Sequence, residues 1–197
     1  MPQDNDSGPH SDETEEDVSV VTYASSGPVQ PAVKAVYADG GLIKSNPSPY
    51  GGTWATCHVD DYGVRVWEDK GILLPARWND MQLENNQTEF FALLQGIKAL
   101  PDGWWGWAYS DNQNTIRRFR DPYGSMNGIP KSWVMELREQ RRRLGEISFV
   151  LLSGHPSKKA LKEGIGRGGR PVSVFNVWCD KQCQELGRSW WENQRGA

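Results

Sequence analysis

The first thirty residues of this 197-residue chain contain no lysine or arginine, although seven acids fall within them. A basic-then-apolar leader is therefore not expected there. No run approaches 18 consecutive apolar residues, so no membrane span is expected either. Cysteine is scarce: Cys57, Cys179 and Cys183 make an odd number and contain no CxxC pair. That argues against a disulfide framework and a structural zinc site, and for buried thiols in a reducing compartment. These absences together give the expectation of a cytoplasmic monomer without membrane contact.

The formal net charge of −3 conceals an asymmetry. Beyond residue 30 the chain carries 22 basic against 18 acidic residues, and from Arg117 onward 16 against eight. A basic C-terminal half is a plausible cradle for a polyanion. An ordinary solvated surface is the alternative reading of the same charges. Residues 1–30, polar and acidic with Ser and Pro and no periodicity, read as a disordered tail that solubilises or covers the basic surface. Residues 31–197 are long enough for one domain with a full core.

The stretch from Val33 to Gly41 (VKAVYADGG) reads as a strand that delivers Asp39 to its end and stops at Gly40-Gly41. Alone, such an aspartate is as well read as a turn-former. Two more short alternating runs, Thr53–Val59 and Val64–Glu68, follow across Pro/Gly- and Asp/Gly-containing turns and complete an antiparallel meander. His58, in mid-strand, reads as structural. Residues 69–83 read as an edge segment with a loop. Apolar residues at helical spacing then mark a helix through Phe90–Leu100, with Asn86 as N-cap and Glu89 three residues on. Glu89 is accordingly either half of a capping box or a carboxylate in a first turn facing the opening strand. The pattern repeats with the aromatic strand Trp104–Ser110, Asp111, and a helix starting near Asn112. A helix Lys131–Leu144, a strand Glu146–Leu152 and a last helix near Ser173–Trp191 complete the chain, the last carrying Asn176 and Asp180 one turn apart.

Asp39-Gly40-Gly41 with the following NPSPYGG, Asn85-Asn86-Gln87-Thr88-Glu89, Ser110-Asp111-Asn112-Gln113 and Asn176–Asp180 resemble, in order, the signature segments of bacterial-type ribonuclease H. Ribonuclease H-like proteins of phages are similar too. The resemblance spans about residues 33–190. It implies an α/β fold with a mixed five-stranded sheet flanked by helices on both faces. It also implies a metal-dependent endonuclease cutting the RNA strand of RNA–DNA hybrids. Asp39, Glu89, Asp111 and Asp180 would be the metal-ligand carboxylates, and His155 resembles the mobile histidine after the last strand. Asn46, Asn86 and Gln113 would face the minor groove of the hybrid, with Asn176 added to the substrate-binding set.

Elementary chemistry agrees with the carboxylate assignment. Clustered carboxylates repel one another at low dielectric and persist together when cations neutralise them. Oxygen-only ligands favour Mg²⁺ or Mn²⁺ over zinc. Two such ions about 3.5–4 Å apart suit an in-line phosphodiester displacement, and contacts to the 2′-hydroxyl, a task for neutral Asn and Gln, would select RNA.

Two segments depart from the family pattern. His155 is separated from Asp180 by a basic, glycine-rich insertion, about residues 157–171. This insertion reads as a flexible flap or a plain loop, and its GxGxxG follows a charged segment instead of a strand, against a dinucleotide site. Between the third acid and the last strand, Arg117, Arg118, Arg120, Arg138 and Arg141–Arg143 are expected to grip the DNA strand through phosphates. Two other functions stay open: a nuclease of this fold acting on double-stranded RNA or branched DNA, and a non-catalytic nucleic-acid-binding module.

Overall fold

In this computed structural model, which describes residues 19–23, 33–75 and 82–196, the chain is organised on the strand β2, Val33–Leu42. β2 pairs antiparallel with β3 (Gly52–Asp60), and β3 with β4 (Arg65–Leu74), giving the expected meander. On its other side β2 pairs parallel with β5 (Gly106–Ser110), and β5 parallel with β6 (Ile147–Leu151). These five strands form the mixed sheet that the resemblance implies. A sixth, β1 (Ser19–Tyr23), pairs antiparallel with β4 at the edge, so the order is β1-β4-β3-β2-β5-β6. That strand corrects the reading of residues 1–30 as wholly disordered: its SVVTY is the one β-prone run in the stretch, and the open edge of β4 gives it a partner. The remainder of the expected tail lies outside the described residues.

The helices cover both faces. α1 (Asn85–Lys98) lies across β2 and β3, with α2 (Gln113–Arg120) and α3 (Lys131–Arg143) beside it. The long α5 (Val174–Gly196) packs on the opposite face. Alternation along β2 explains the division. Val36 and Ala38 enter the large core with Trp54, Phe90, Leu94 and Leu137, whereas Ala35 and Tyr37 meet Ala55, Cys57, Cys179 and Cys183 under α5. Covered on both faces, β3 is buried along all but its last residue. The three thiols are free and buried. None of the helices among the described residues is long and apolar enough to cross a membrane.

Two local readings are corrected. The strand β2 does not stop at Gly40-Gly41; both glycines stay in the ladder, opposite Trp54 and Thr53. The missing Cβ is needed for close approach instead of for a turn, since a Cβ on Gly40 would lie 2.3 Å from the backbone of Thr88 and Glu89. The cap of α1 also lies earlier than Asn86: Glu84 is the N-cap, and its N–H donates to Gln87 Oε1 at 2.8 Å. Gln87 therefore takes the reciprocal capping position, and Glu89 is free of it.

His58 is structural, as expected. Its ring stacks on Trp67, its Nε2 lies 2.7 Å from the Gly96 carbonyl oxygen, and burial holds its pKa down at about 4. Gly96 lets α1 sit against the sheet, because a Cβ there would fall 2.3 Å from Thr56 Oγ1 and 2.7 Å from Val36 Cγ1. Gly96→Ala should therefore destabilise the fold by about 1–3 kcal/mol through overpacking. Thermal melting would read this as a loss of about 2–4 °C per kcal/mol; an unchanged melting temperature would contradict the close α1–sheet contact.

Candidate active site

Three elements deliver carboxylates to one point. Asp39 lies near the end of β2, and Asp111 follows the last residue of β5. The parallel register Ala35↔Trp107, Val36↔Ala108, Tyr37↔Tyr109 places the two acids in the same row two residues further on. Glu89 reaches that row from the second turn of α1, where Gly40 allows helix and strand backbones to touch. One oxygen from each of the three lies within 4.8 Å of the others. This is the crevice outside the carboxyl ends of parallel strands, where open α/β sheets commonly bind ligands.

Asp39 and Glu89 are each only 5% exposed. Burial first, and the neighbouring charges of Asp111 and Asp180 second, push Asp39 well above the ordinary carboxylate range; the Gly40 N–H, donating to Oδ1 at 2.8 Å, opposes this in part. Glu89 is raised by burial and by Asp39 and Asp111. Asp111 is raised by burial, against the opposing influence of His155. Asn85 Nδ2 donates to Glu89 Oε1 at 3.3 Å, while Glu89 Oε2 is buried with no hydrogen-bond partner. A buried carboxylate oxygen without a partner among like charges calls for a cation or a proton. An all-oxygen set of this kind fits a hard divalent cation such as Mg²⁺ or Mn²⁺.

Asp180, the fourth expected ligand, stands outside that tight trio. It projects from α5 into the same cavity, about 1010 Å³ in volume, and accepts from Gln184 Nε2 at 2.8 Å. His155, in the left-handed region at φ 45° and largely exposed, places Nδ1 3.4 Å from Asp180 Oδ2. The neighbouring Gly154 makes room for the third acid, since a Cβ there would lie 2.5 Å from Asp111 Oδ2.

The expected substrate contacts separate. Asn86 Oδ1 accepts from Asn112 and Asn114 amides, each at 3.3 Å, forming an amide cluster where α1 and α2 begin. Gln113 is exposed at the start of α2 next to that cluster. Asn46 is exposed in the β2–β3 loop, before a cis bond to Pro47, and does not line the cavity. Asn176 is buried within α5 at 5% exposure, away from the cavity lining, with its Oδ1 unpartnered.

The arginine-rich segment is turned inward more than expected. Arg118, Arg120, Arg138 and Arg143 donate to backbone carbonyls of Asn127, Phe149, Pro122 and the α1 C-terminal turn respectively. They fasten loops and helix ends, which a count of charges does not reveal. The insertion is likewise ordered: α4 (Lys158–Glu163) is followed by a bridge Ile165↔Pro171, and the Arg167 N–H donates to Ser153 Oγ at 3.0 Å.

Several contributors escaped the sequence reading. Cys183 Sγ lies 3.3 Å from the Asp39 carbonyl oxygen and supports the strand beneath the acid. Gln184, Arg188, Trp191 and Arg195 continue the Asp180 face of α5 along the cavity wall. Their spacing of three and four residues was a usable signal.

Neither a protein-family model nor a curated protein matches the chain. Among solved structures it is similar to the N-terminal RNase H domain of a Mycobacterium tuberculosis protein, solved as a fusion with maltose-binding protein: 13% identity and a TM-score of 0.55, covering 84% of this chain and 99% of that one. It is also similar to an RNase H1 isolated from compost by a metagenomic approach, at 14% identity and a TM-score of 0.53, covering 80% and 96%. The chain has the RNase H-like fold.

Proposed function

We propose that this chain is a divalent-metal-dependent endonuclease that hydrolyses the RNA strand of RNA–DNA hybrids. The observation that carries the reading is the convergence of Asp39, Glu89 and Asp111, from three separate elements, with Glu89 Oε2 buried and unpartnered. The RNase H-like fold supports it, and so does the position of the trio at the carboxyl ends of parallel strands.

Asp39, Glu89 and Asp111 would hold Mg²⁺ or Mn²⁺, with Asp180 completing the set from the rim. Such ions, when bound, supply Lewis-acid activation of water and charge stabilisation at a phosphodiester. The protein's own groups supply geometry. The Gly40 N–H fixes Asp39 Oδ1, the Asn85 amide fixes one Glu89 oxygen, and Gln184 fixes Asp180 Oδ1. His155, whose Nδ1 lies 3.4 Å from Asp180 Oδ2, would exchange a proton with the departing oxygen. The amides of Asn86, Asn112 and Asn114, with Gln113 beside them, present neutral hydrogen-bonding groups suited to 2′-hydroxyls in a wide minor groove.

The test is incubation of purified protein with labelled RNA–DNA hybrid, double-stranded RNA, and linear or branched double-stranded DNA, with Mg²⁺, Mn²⁺ or chelator. Metal-dependent cleavage of RNA in the hybrid is expected; cleavage of another substrate alone would replace the substrate assignment, and binding without cleavage would replace the activity. Asp39→Asn or Asp111→Asn should lower turnover more than about 10³-fold, a loss of about 4 kcal/mol of transition-state stabilisation. His155→Ala should slow it by about 10²-fold without abolishing it; an unchanged rate would make His155 a structural loop residue.

Metal and pH should be linked. The folded-state pKa values of Asp39 and Glu89 lie above their unfolded values, so the metal-free protein is favoured at low pH and loses stability as pH rises through those raised values. The rise in melting temperature on adding Mg²⁺ should therefore be larger at pH 8 than at pH 5. In Asp39→Asn the metal-free melting temperature at pH 8 should match or exceed that of the native chain. A Mg²⁺ response independent of pH would contradict the cluster's electrostatics.

A further inference from the structure

The helix α5 does not end with the acid it contributes: it runs on for four more turns, to Gly196. Asp180, Gln184, Arg188, Trp191 and Arg195 share one face of it and line the same cavity. At 1.5 Å rise per residue, Arg188 stands about 12 Å and Arg195 about 22 Å beyond Asp180. Across the cavity wall the β2–β3 loop presents Lys44, in the left-handed region at φ 72°, with Nζ 4.5 Å from the centroid of the Trp191 ring. Tyr50 packs edge-on against the same ring at 4.9 Å. Lys44, Arg188 and Arg195 are exposed, and none of the ion pairs among the described residues includes them.

Acids hold the cation-binding end of this cavity, and its far end is basic on balance, with Lys44, Arg188 and Arg195 against Glu192, as a strand needs if its cut phosphate is to sit on metal and its next phosphates on ammonium and guanidinium groups. Trp191 is already engaged by Lys44 and Tyr50, so its part is to position Lys44 and not to stack a base. We infer that the distal face of α5, with Lys44, is a backbone-binding arm that holds the phosphates of the cut strand on one side of the cleavage point. This deepens the reading of the site as a nuclease and rests on it. With phosphates every 3.4 Å of helix axis along one strand, 12–22 Å corresponds to about four to six nucleotides. Recognition by charge alone makes the arm indifferent to base sequence.

Binding is measured apart from turnover, by fluorescence anisotropy of labelled RNA–DNA hybrids on the full chain carrying Asp111→Asn. Two hybrid series are shortened stepwise from either end around a cut site mapped with the native protein, or around the hybrid's centre if the native protein does not cut. Shortening one side to fewer than about four base pairs should weaken binding about tenfold, and shortening the other should not. In Arg188→Ala/Arg195→Ala that one-sided loss should vanish, and the slope of log affinity against log salt should fall by about two. Lys44→Ala and Trp191→Phe should separate contact from positioning, the first lowering affinity for long hybrids and the second largely preserving it. Equal losses for long and short hybrids, or an unchanged salt slope, would overturn the arm while leaving cleavage intact. One-sided binding without cleavage by the native chain would keep the arm and overturn the nuclease.

Discussion

Repulsion among two buried carboxylates and a half-buried third is the constraint on which this structure turns. Asp39, Glu89 and Asp111 would separate in water, and the fold holds them together by packing, through backbone contacts that leave no room for retreat. Gly40 brings the first turns of α1 against β2, and Gly96 brings its last turn against Val36 and Thr56. Between these points the helix is sealed by Phe90, Leu93, Leu94 and Ile97, all nearly inaccessible. Burial of such side chains contributes about 1.5–3 kcal/mol each, which offsets the cost of holding like charges near one another. A bound cation would relieve the repulsion that the apolar core maintains.

The same organisation explains why the acids gather at one end of the sheet. Parallel pairing of β2 with β5 sends both strand termini the same way, so two acids arrive side by side without a long loop to place them. α5, packed on the opposite face through Cys179 and Cys183, supplies a fourth acid at the rim and then a basic wall. The rim acid is more exposed than Asp39 and Glu89, and its immediate partners are Gln184 and His155.

Much of this was legible in the sequence, for identifiable reasons. A strand that carries an acid at or just past its end occurs twice, at Asp39 and Asp111, and period-2 alternation marked the meander; both are local signals. What was missed depends on contacts between distant segments. Gly40-Gly41 looks like a strand stop until α1 is seen lying on it. SVVTY in the N-terminal stretch is too short to read as a strand until the open edge of β4 is available. Arg118, Arg120, Arg138 and Arg143 count as a nucleic-acid surface by composition, yet their guanidinium groups serve carbonyls of the protein itself. Asn176 shares a helix with Asp180 but is buried away from the cavity, whereas Arg188 and Arg195 stand at helical spacing from Asp180, a signal that gains meaning only once that face is seen to line the cavity.

Direct observation of the cation is the sharpest test of the central claim. Crystals grown or soaked with Mn²⁺, examined by anomalous scattering, should show a peak among the oxygens of Asp39, Glu89 and Asp111, lost in Asp39→Asn. No peak there at saturating Mn²⁺, or one that persists unchanged in the variant, would contradict the account.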